Sequence, residues 1–151
     1  MKPVLVFDMN ETLLDMSALD PTFAGIFSQA QGSELRKKWF NQVLELFLTA
    51  TITGEYRSFD KLTDDALQML AKQQGREASA ADRTALKEAQ AKIPAHPDVA
   101  PGLTRLKETG FTIATLTNSS AKSAERLLDF AGIRQQFDIA ALSEQLVSKH
   151  G

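Results

Sequence analysis

Apolar and polar residues follow two different periods along this chain. A continuous apolar run, Val4–Phe7, meets polar residues at once, which predicts a strand buried on both faces inside a parallel sheet. Two further strands are predicted over Phe111–Leu116 and Phe137–Leu142, because both runs are apolar and contain β-branched residues. Most of the remaining chain has apolar residues at helical spacing. The pattern therefore predicts an α/β fold.

Four successive helices are predicted between the first and second strands. They begin at Asp20-Pro21, near Ser33, at Ser58 and at about residues 79–81, and the last ends near residue 91. The second is the most apolar helix of the chain and is expected to be buried on most of its circumference. With no strand between them, these helices predict an insertion over residues 15–95, and residues 1–14 and 96–151 would form the α/β core. An all-α fold is the alternative, which the flanking strands disfavour.

Composition narrows the functional classes. The 151 residues suffice for one domain with a core, and a net charge of -2 gives no electrostatic reason to expect nucleic acid or an acidic membrane. The absence of cysteine excludes disulfides and thiolate metal sites, and two histidines argue against a His-rich zinc site. The N-terminus is too short and too promptly charged for a signal peptide, and no run could span a membrane. A cytoplasmic location is expected.

A polar segment follows the first predicted strand. Asp8 stands at the strand end, where parallel sheets bind their ligands, and Asn10 and Thr12 follow at alternating positions. A lone Asp at a strand end is commonly a turn or cap residue. Three small polar side chains on one short loop can instead converge on one ligand, which favours a functional site.

A second polar segment, Thr117-Asn118-Ser119, follows the next predicted strand and precedes a helix at 121–131. One of these residues could serve only as a helix N-cap. Together, however, a hydroxyl, an amide and free helix N–H groups make a place that binds phosphate or carboxylate. Two such segments after neighbouring strands predict one crevice for a small anionic substrate.

The segment Asp8–Asp15 resembles the first motif of the haloacid dehalogenase (HAD) superfamily, and Thr117-Asn118-Ser119 resembles its second. The helical insertion falls where this family keeps its cap. The resemblance covers nearly the whole chain and implies a Rossmann-like parallel core with an inserted four-helix cap. It also implies that Asp8 is a covalent nucleophile and that Thr12 helps to hold the bound group.

The residue at position 10 bears on the chemistry. Phosphatases of this superfamily carry a second Asp there as general acid, whereas an amide such as Asn10 cannot donate a proton in that way. A halide leaving group needs no proton, so the resemblance favours a type II 2-haloacid dehalogenase that uses no metal. A Mg²⁺-dependent small-molecule phosphatase, with Asp8 and a carbonyl of Met9 or Asn10 as ligands, is one alternative. A truncated, non-catalytic HAD-fold protein is another.

The resemblance assigns roles to nine residues. Those expected in catalysis are Asp8, Thr12, Thr117, Asn118 and Lys149, and those expected to contact substrate are Met9, Asn10, Phe40 and Ser119. Phe40 stands where the dehalogenases of this family have a halide-receiving Arg. Arg36, one helical turn earlier, could substitute for that Arg or could be a solvated residue beside Lys37 and Lys38.

The resemblance also implies an incomplete core. Lys149 lies near the expected place of the family's third-motif Lys, and the acidic fourth motif does not occur in this sequence. A parallel sheet without its later strands would leave one face of Phe137–Leu142 and one edge uncovered. We therefore expect association with another copy, as a homodimer or a domain-swapped oligomer.

Overall fold

The computed structural model describes residues 3–28 and 30–142, which form three strands, six α-helices and two single-turn 3₁₀ helices. Their bounds are β1 Val4–Phe7, α1 Asp20–Phe27, α2 Gly32–Thr53, α3 Phe59–Gln73, α4 Ala80–Gln90, α5 Val99–Glu108, β2 Thr112–Thr117, α6 Ala121–Phe130 and β3 Ile139–Leu142. The predicted α/β fold with a run of four helices between its first two strands is confirmed. No helix within the described part of the chain is long and apolar enough to cross a membrane.

The three strands form one parallel sheet in the order β1-β2-β3. Phe7 is the partner of Thr115, and Thr117 is the partner of Leu142, so that β2 runs two residues past the end of its pairing with β1. The third strand is shorter than predicted. Phe137 precedes it, after the 3₁₀ turn Arg134–Gln136, and is buried.

One face of this sheet is exposed. Right-handed crossovers that progress in one direction through β1, β2 and β3 place α5 and α6 on the same face. Side chains of paired residues share a face, so the opposite one carries Val4, Val6, Leu116 and Ile139, all of which are exposed. The prediction that β1 is buried on both faces is therefore wrong, because an apolar run does not reveal whether anything covers each face.

The chain divides into two compact units, Ser17–Gln90 and Met1–Met16 with Ala91–Gly151. The sequence-based boundaries lay at 14/15 and 95/96. In the second unit, the two connections to the helical insertion are hydrogen-bonded to each other. Asp15 donates its N–H to the Pro94 carbonyl at 2.8 Å, and His96 donates to the Leu13 carbonyl at 3.0 Å, across an antiparallel bridge between Leu14 and Ala95.

The core of the helical unit lies where α2 packs between α1 and α3. Trp39 is fully buried, its ring lies 5.2 Å from that of Phe23, and its indole N–H donates to the Thr63 carbonyl at 3.0 Å. The Trp N–H would be costly to bury without such a partner, so this bond fixes the rotation of α2 against α3.

The burial predicted for α2 is wrong over its second half. Only its N-terminal half supplies buried residues, the last of them being Val43. Farther along, Leu44, Leu48 and Ile52 are exposed. An apolar residue count does not tell which side of a helix has a packing partner, and α2 continues for three turns beyond the residues that α1 and α3 cover.

A capping box begins α4. The Ser79 hydroxyl accepts from the Asp82 N–H at 3.1 Å, and the Asp82 carboxylate accepts from the Ser79 N–H at 2.8 Å. Arg76 joins the same carboxylate and also donates to the Ile26 carbonyl, which ties α4 to α1. Burial raises the pKa of Asp82, but the bonds from Ser79 and Arg76 together lower its pKa below the usual range.

Candidate active site

The first polar loop presents an exposed carboxylate at the end of β1. Asp8 is exposed, and the Thr12 hydroxyl donates to its Oδ2 at 3.3 Å. The Met9 carbonyl accepts from Leu13 at 3.0 Å and from Leu14 at 2.9 Å, which folds the loop back and brings Thr12 to Asp8. Glu11, at the turn, has φ 59°, in the left-handed region that non-glycine residues seldom occupy.

The second polar loop follows the carboxyl end of β2, which lies beside the carboxyl end of β1 because the two strands are parallel neighbours. Thr117 is buried at the end of β2, and its Oγ1 accepts from the Ser119 N–H at 3.2 Å. Asn118, between them, is partly exposed. The hydroxyl-bearing residues of this turn, Thr117 and Ser119, are buried, so the Asn118 side chain is its more accessible polar group.

The residue that caps α6 is Ser120, one position beyond the three residues considered from the sequence. Its hydroxyl accepts from the Ser123 N–H at 3.4 Å and donates to the Ser123 hydroxyl at 3.0 Å. None of Thr117, Asn118 and Ser119 is therefore needed as the cap, so the N-cap interpretation of these residues is wrong.

Thr115 is a contributor that the sequence analysis did not single out. This residue is buried in the middle of the sheet, and its hydroxyl donates to the Phe7 carbonyl at 2.9 Å. The bond fixes the last residue of β1, immediately before Asp8. A hydroxyl inside an otherwise apolar strand run was the available signal, since a buried hydroxyl requires a partner.

The remaining predicted site residues lie in different environments. Met9 is buried with only 1% of its surface exposed, Ser119 is also buried, and Asn10 is partly exposed. Phe40 belongs to the helical unit, where its ring lies 6.1 Å from that of Trp39. Lys149 falls outside the described residues.

Arg36 is neither solvated nor free to take the place of a substrate-binding Arg. Its guanidinium is buried, and Nε donates to the Asp20 carboxylate at 2.6 Å, which joins α2 to the start of α1. The partner is sixteen positions away in the sequence. Local charge pattern, here the neighbours Lys37 and Lys38, could not reveal a pair of that range.

No group of three or more His, Cys, Asp or Glu residues within residues 3–28 and 30–142 is arranged to hold a metal ion. Asp8 thus presents a carboxylate at the end of β1, bonded to the Thr12 hydroxyl, and the loop that carries Asn118 follows the neighbouring strand β2. Such a group can attack an electrophilic carbon or phosphorus atom and form an ester.

Comparison with known proteins identifies the family. The family model for haloacid dehalogenase-like hydrolases matches residues 3–149. The (S)-2-haloacid dehalogenase H-109 of Pseudomonas putida is 29% identical over 91% of this chain and 62% of its own length. The (S)-2-haloacid dehalogenase of Pseudomonas sp. (strain YL) is 28% identical over 89% of this chain and 57% of its own.

Solved structures agree with the fold. A crystal structure of a dehalogenase, 27% identical, superposes with a TM-score of 0.86 over 97% of this chain and 64% of that one. The L-2-haloacid dehalogenase from Xanthobacter autotrophicus, 23% identical, has the same fold with a TM-score of 0.87. The chain thus spans about three-fifths of the length of these relatives. Since the family model covers nearly every residue, this chain belongs to the haloacid dehalogenase-like hydrolase family.

Proposed function

We propose that this chain carries the nucleophile half of a 2-haloacid dehalogenase site. The observation that supports the proposal is the exposed Asp8 carboxylate at the tip of β1, hydrogen-bonded to Thr12 and followed two residues later by Asn10. The similarity to (S)-2-haloacid dehalogenases over about nine-tenths of the chain favours the same chemistry. The substrate is a small 2-halo acid.

The reaction has two steps. An Asp8 oxygen attacks C2 of the substrate from the side opposite the halogen, a C–O bond forms, and the C–halogen bond breaks with release of halide. Water then attacks the Asp8 carbonyl carbon of the ester, which releases the 2-hydroxy acid and leaves one water oxygen in the carboxylate. Thr12 orients the attacking oxygen through the bond that it already makes.

We assign the substrate carboxylate to Thr117 and Asn118, whose hydroxyl and amide can donate to an anion. Thr12 is assigned beside them as a residue that packs against the bound group, because its single hydroxyl proton is already donated to Asp8. We assign Met9, Asn10 and Ser119 to the walls of the substrate site, and Phe40 stays a prediction from the resemblance. Met9 and Ser119 would act there through the backbone or by packing, because both side chains are buried. Lys149 would pair with Asp8 and reduce the electrostatic repulsion between that carboxylate and an anionic substrate.

Asn10 is the residue that favours carbon–halogen over phosphate-ester cleavage. An alcohol leaving group requires a proton from a general acid, which an amide cannot supply, whereas halide leaves without one. We therefore propose that no metal cofactor takes part. The Mg²⁺-dependent phosphatase alternative has no support from the curated dehalogenase relatives.

The proposal is tested by hydrolysing the ester in labelled water. The chain is mixed in excess with (S)-2-chloropropionate in H₂¹⁸O without added metal, and free chloride and the mass of the Asp8-containing peptide are measured. We expect chloride release, and one ¹⁸O atom in the Asp8 carboxylate after turnover. Asp8→Asn should abolish both signals.

Glu11→Gln is the matched control, because it removes a neighbouring carboxylate of the same loop without changing the nucleophile. It should retain chloride release. A folded wild-type chain that neither releases chloride nor gains label would refute the dehalogenase proposal. Hydrolysis of an aryl phosphate that requires Mg²⁺ and stops with chelator would replace it by phosphatase chemistry.

A further inference from the structure

The backbone on both sides of Asp8 is held by hydrogen bonds. After it, the Met9 carbonyl accepts two backbone N–H groups of its own loop, at 3.0 and 2.9 Å. Before it, the Phe7 carbonyl accepts from the Thr115 hydroxyl at 2.9 Å. A peptide unit is planar, so a carbonyl with a fixed direction also fixes the nitrogen and Cα of the next residue. The Thr115 bond therefore bears on where the Asp8 side chain begins.

The Phe7 carbonyl has a backbone donor besides Thr115. The Pro3 carbonyl accepts from the Thr112 N–H at 3.0 Å, and carbonyls of alternate residues of a strand point the same way. In the register that pairs Phe7 with Thr115, the same ladder brings the Leu116 N–H to the Phe7 carbonyl. The Thr115 hydroxyl is thus a second donor to a carbonyl that the sheet already satisfies.

This second donor is a buried side chain. Only 1% of the Thr115 surface is exposed. Valine has the same shape, and burial of a hydroxyl carries a desolvation cost that burial of a methyl group does not. The bond to the Phe7 carbonyl offsets that cost. What the hydroxyl adds over a methyl group is therefore the direction of one peptide unit, which packing and the strand ladder do not require.

The next side chain on the same face of β2 holds the second polar loop. Thr117 follows Thr115 by two residues, so the two side chains share a face of the strand. The Thr117 Oγ1 accepts from the Ser119 N–H at 3.2 Å. One row of buried hydroxyls on β2 thus holds the start of the loop with Asp8 and the start of the loop with Asn118.

We propose that Thr115 is a positioning residue for the nucleophile. Its hydroxyl fixes the peptide unit between Phe7 and Asp8, so that the Asp8 carboxylate is aimed at the substrate carbon. The catalytic part of this inference rests on the proposed function. Because its side chain is buried, Thr115 does not contact substrate, and its loss should change the rate of ester formation rather than binding. A displacement of about 1 Å can slow such a step about a hundredfold, so loss of one constraint should cost about tenfold.

The first test measures the first turnover of chloride release from (S)-2-chloropropionate over a range of substrate concentrations. Thr115→Val should lower the rate constant at saturation about tenfold and should leave the half-saturating concentration within about twofold of wild type. This split indicates loss of an interaction that acts in the transition state and not in binding. Thr112→Val, on the same strand, is the matched control and should keep the wild-type rate constant.

Thr115→Ser separates positioning from stability. Serine keeps the hydroxyl but loses a buried methyl group, so this variant should be about as destabilised as Thr115→Val and yet keep most of the wild-type rate. A purely structural role predicts instead that both rates follow the stabilities, which urea denaturation measures. A valine variant as fast as the serine variant, or as fast as Thr112→Val, overturns the proposal.

A second measurement does not depend on dehalogenase activity. Relaxation of ¹⁵N nuclei gives the order parameter of the Asp8 N–H, which should be near the value of about 0.85 typical of rigid backbone in wild type and in Thr115→Ser. It should fall in Thr115→Val. A wild type that releases no chloride refutes the proposed function and leaves the order parameter to decide the positioning role. If that parameter is then unchanged in Thr115→Val, the positioning inference is overturned as well.

Discussion

Two side-chain hydrogen bonds position the Asp8 carboxylate. Thr12 bonds to the carboxylate itself, and Thr115 bonds to the carbonyl of the residue before it. Both are hydroxyls, so each can be removed with little change of shape.

Thr115→Val keeps the shape of the side chain and removes its bond to the Phe7 carbonyl. We expect the free energy of unfolding to fall by about 1 kcal/mol, the usual value for one such bond. Urea denaturation measures this loss. Thr112→Val on the same strand is the control and should change stability by less than about 0.5 kcal/mol, because Thr112 is partly exposed. Equal effects of the two variants would contradict a specific role for Thr115.

Ser28 ends α1 in the left-handed region, with φ 51° and ψ 41°, and its N–H bonds to the Ala24 carbonyl. Glycine adopts this conformation without steric cost. Ser28→Gly should therefore raise the free energy of unfolding by about 1 kcal/mol. Ser28→Ala retains the strain and should give no gain in thermal unfolding. A stabilising alanine would show that the backbone is not the cause.

At the scale of helices and strands, the sequence predicted most elements within a few residues. Periodicity and β-branched residues identify elements because each must present an apolar side. They do not identify the partner of that side. The exposed residues of β1, the exposed half of α2 and the long-range pair Arg36–Asp20 all depend on packing between distant segments.

The candidate site likewise has residues that the sequence identifies and others that depend on packing between distant segments. Asp8, Thr12 and the Thr117–Ser119 turn could be found from the sequence because they follow apolar strand runs. A hydroxyl in an apolar strand run indicates that Thr115 needs a partner, but that the partner is the Phe7 carbonyl depends on the register between β1 and β2. The cap at Ser120 depends on where α6 begins. Phe40 and Lys149 remain predictions.

The capping box of α4 gives a prediction at the same scale. Asp82→Asn should lower the free energy of unfolding at neutral pH by about 1 kcal/mol, through loss of the cap and of the pair with Arg76. Because the folded pKa of Asp82 is lowered, its contribution is present above the unfolded value of about 4 and disappears as pH falls through the lowered pKa.

Urea denaturation at several pH values separates the two effects. The difference between wild type and Asp82→Asn should shrink as the solution becomes acidic. Glu88→Gln, an exposed residue of the same helix, should show no comparable difference at neutral pH. A gap between wild type and Asp82→Asn that is independent of pH would assign the effect to the amide's poorer geometry rather than to charge.

For the molecule as a whole, the notable feature is apolar surface on both compact units. The exposed Leu44, Leu48 and Ile52 of α2 belong to one unit, and the sheet face of Val4, Val6, Leu116 and Ile139 belongs to the other. Continuous apolar surface promotes association. An unpaired strand edge beside it, here that of β1 within the described sheet, adds a template for strand pairing.

Val6→Thr should reduce aggregation of the chain without loss of stability. Threonine keeps the β-branched shape that strands favour and adds a hydroxyl where the side chain is already 60% exposed. Light scattering during heating should show a later onset of aggregation, with unfolding free energy within about 0.5 kcal/mol of wild type. Phe130→Gln, at an exposed position on α6, is the control and should leave the onset unchanged if the sheet face is responsible.

The hydrogen-bonded bridge between Leu14 and Ala95 has a consequence for how the chain folds. Pairing of β1 with β2 joins residues more than a hundred positions apart, and closing so long a loop is slow and entropically costly. Once Leu13 and Asp15 bond to His96 and Pro94, the two ends of the insertion are held together. Only the short segments from this bridge to β1 and to β2 then remain in the loop that strand pairing must close. Changes of length within the insertion should then have little effect on the rate at which the sheet assembles.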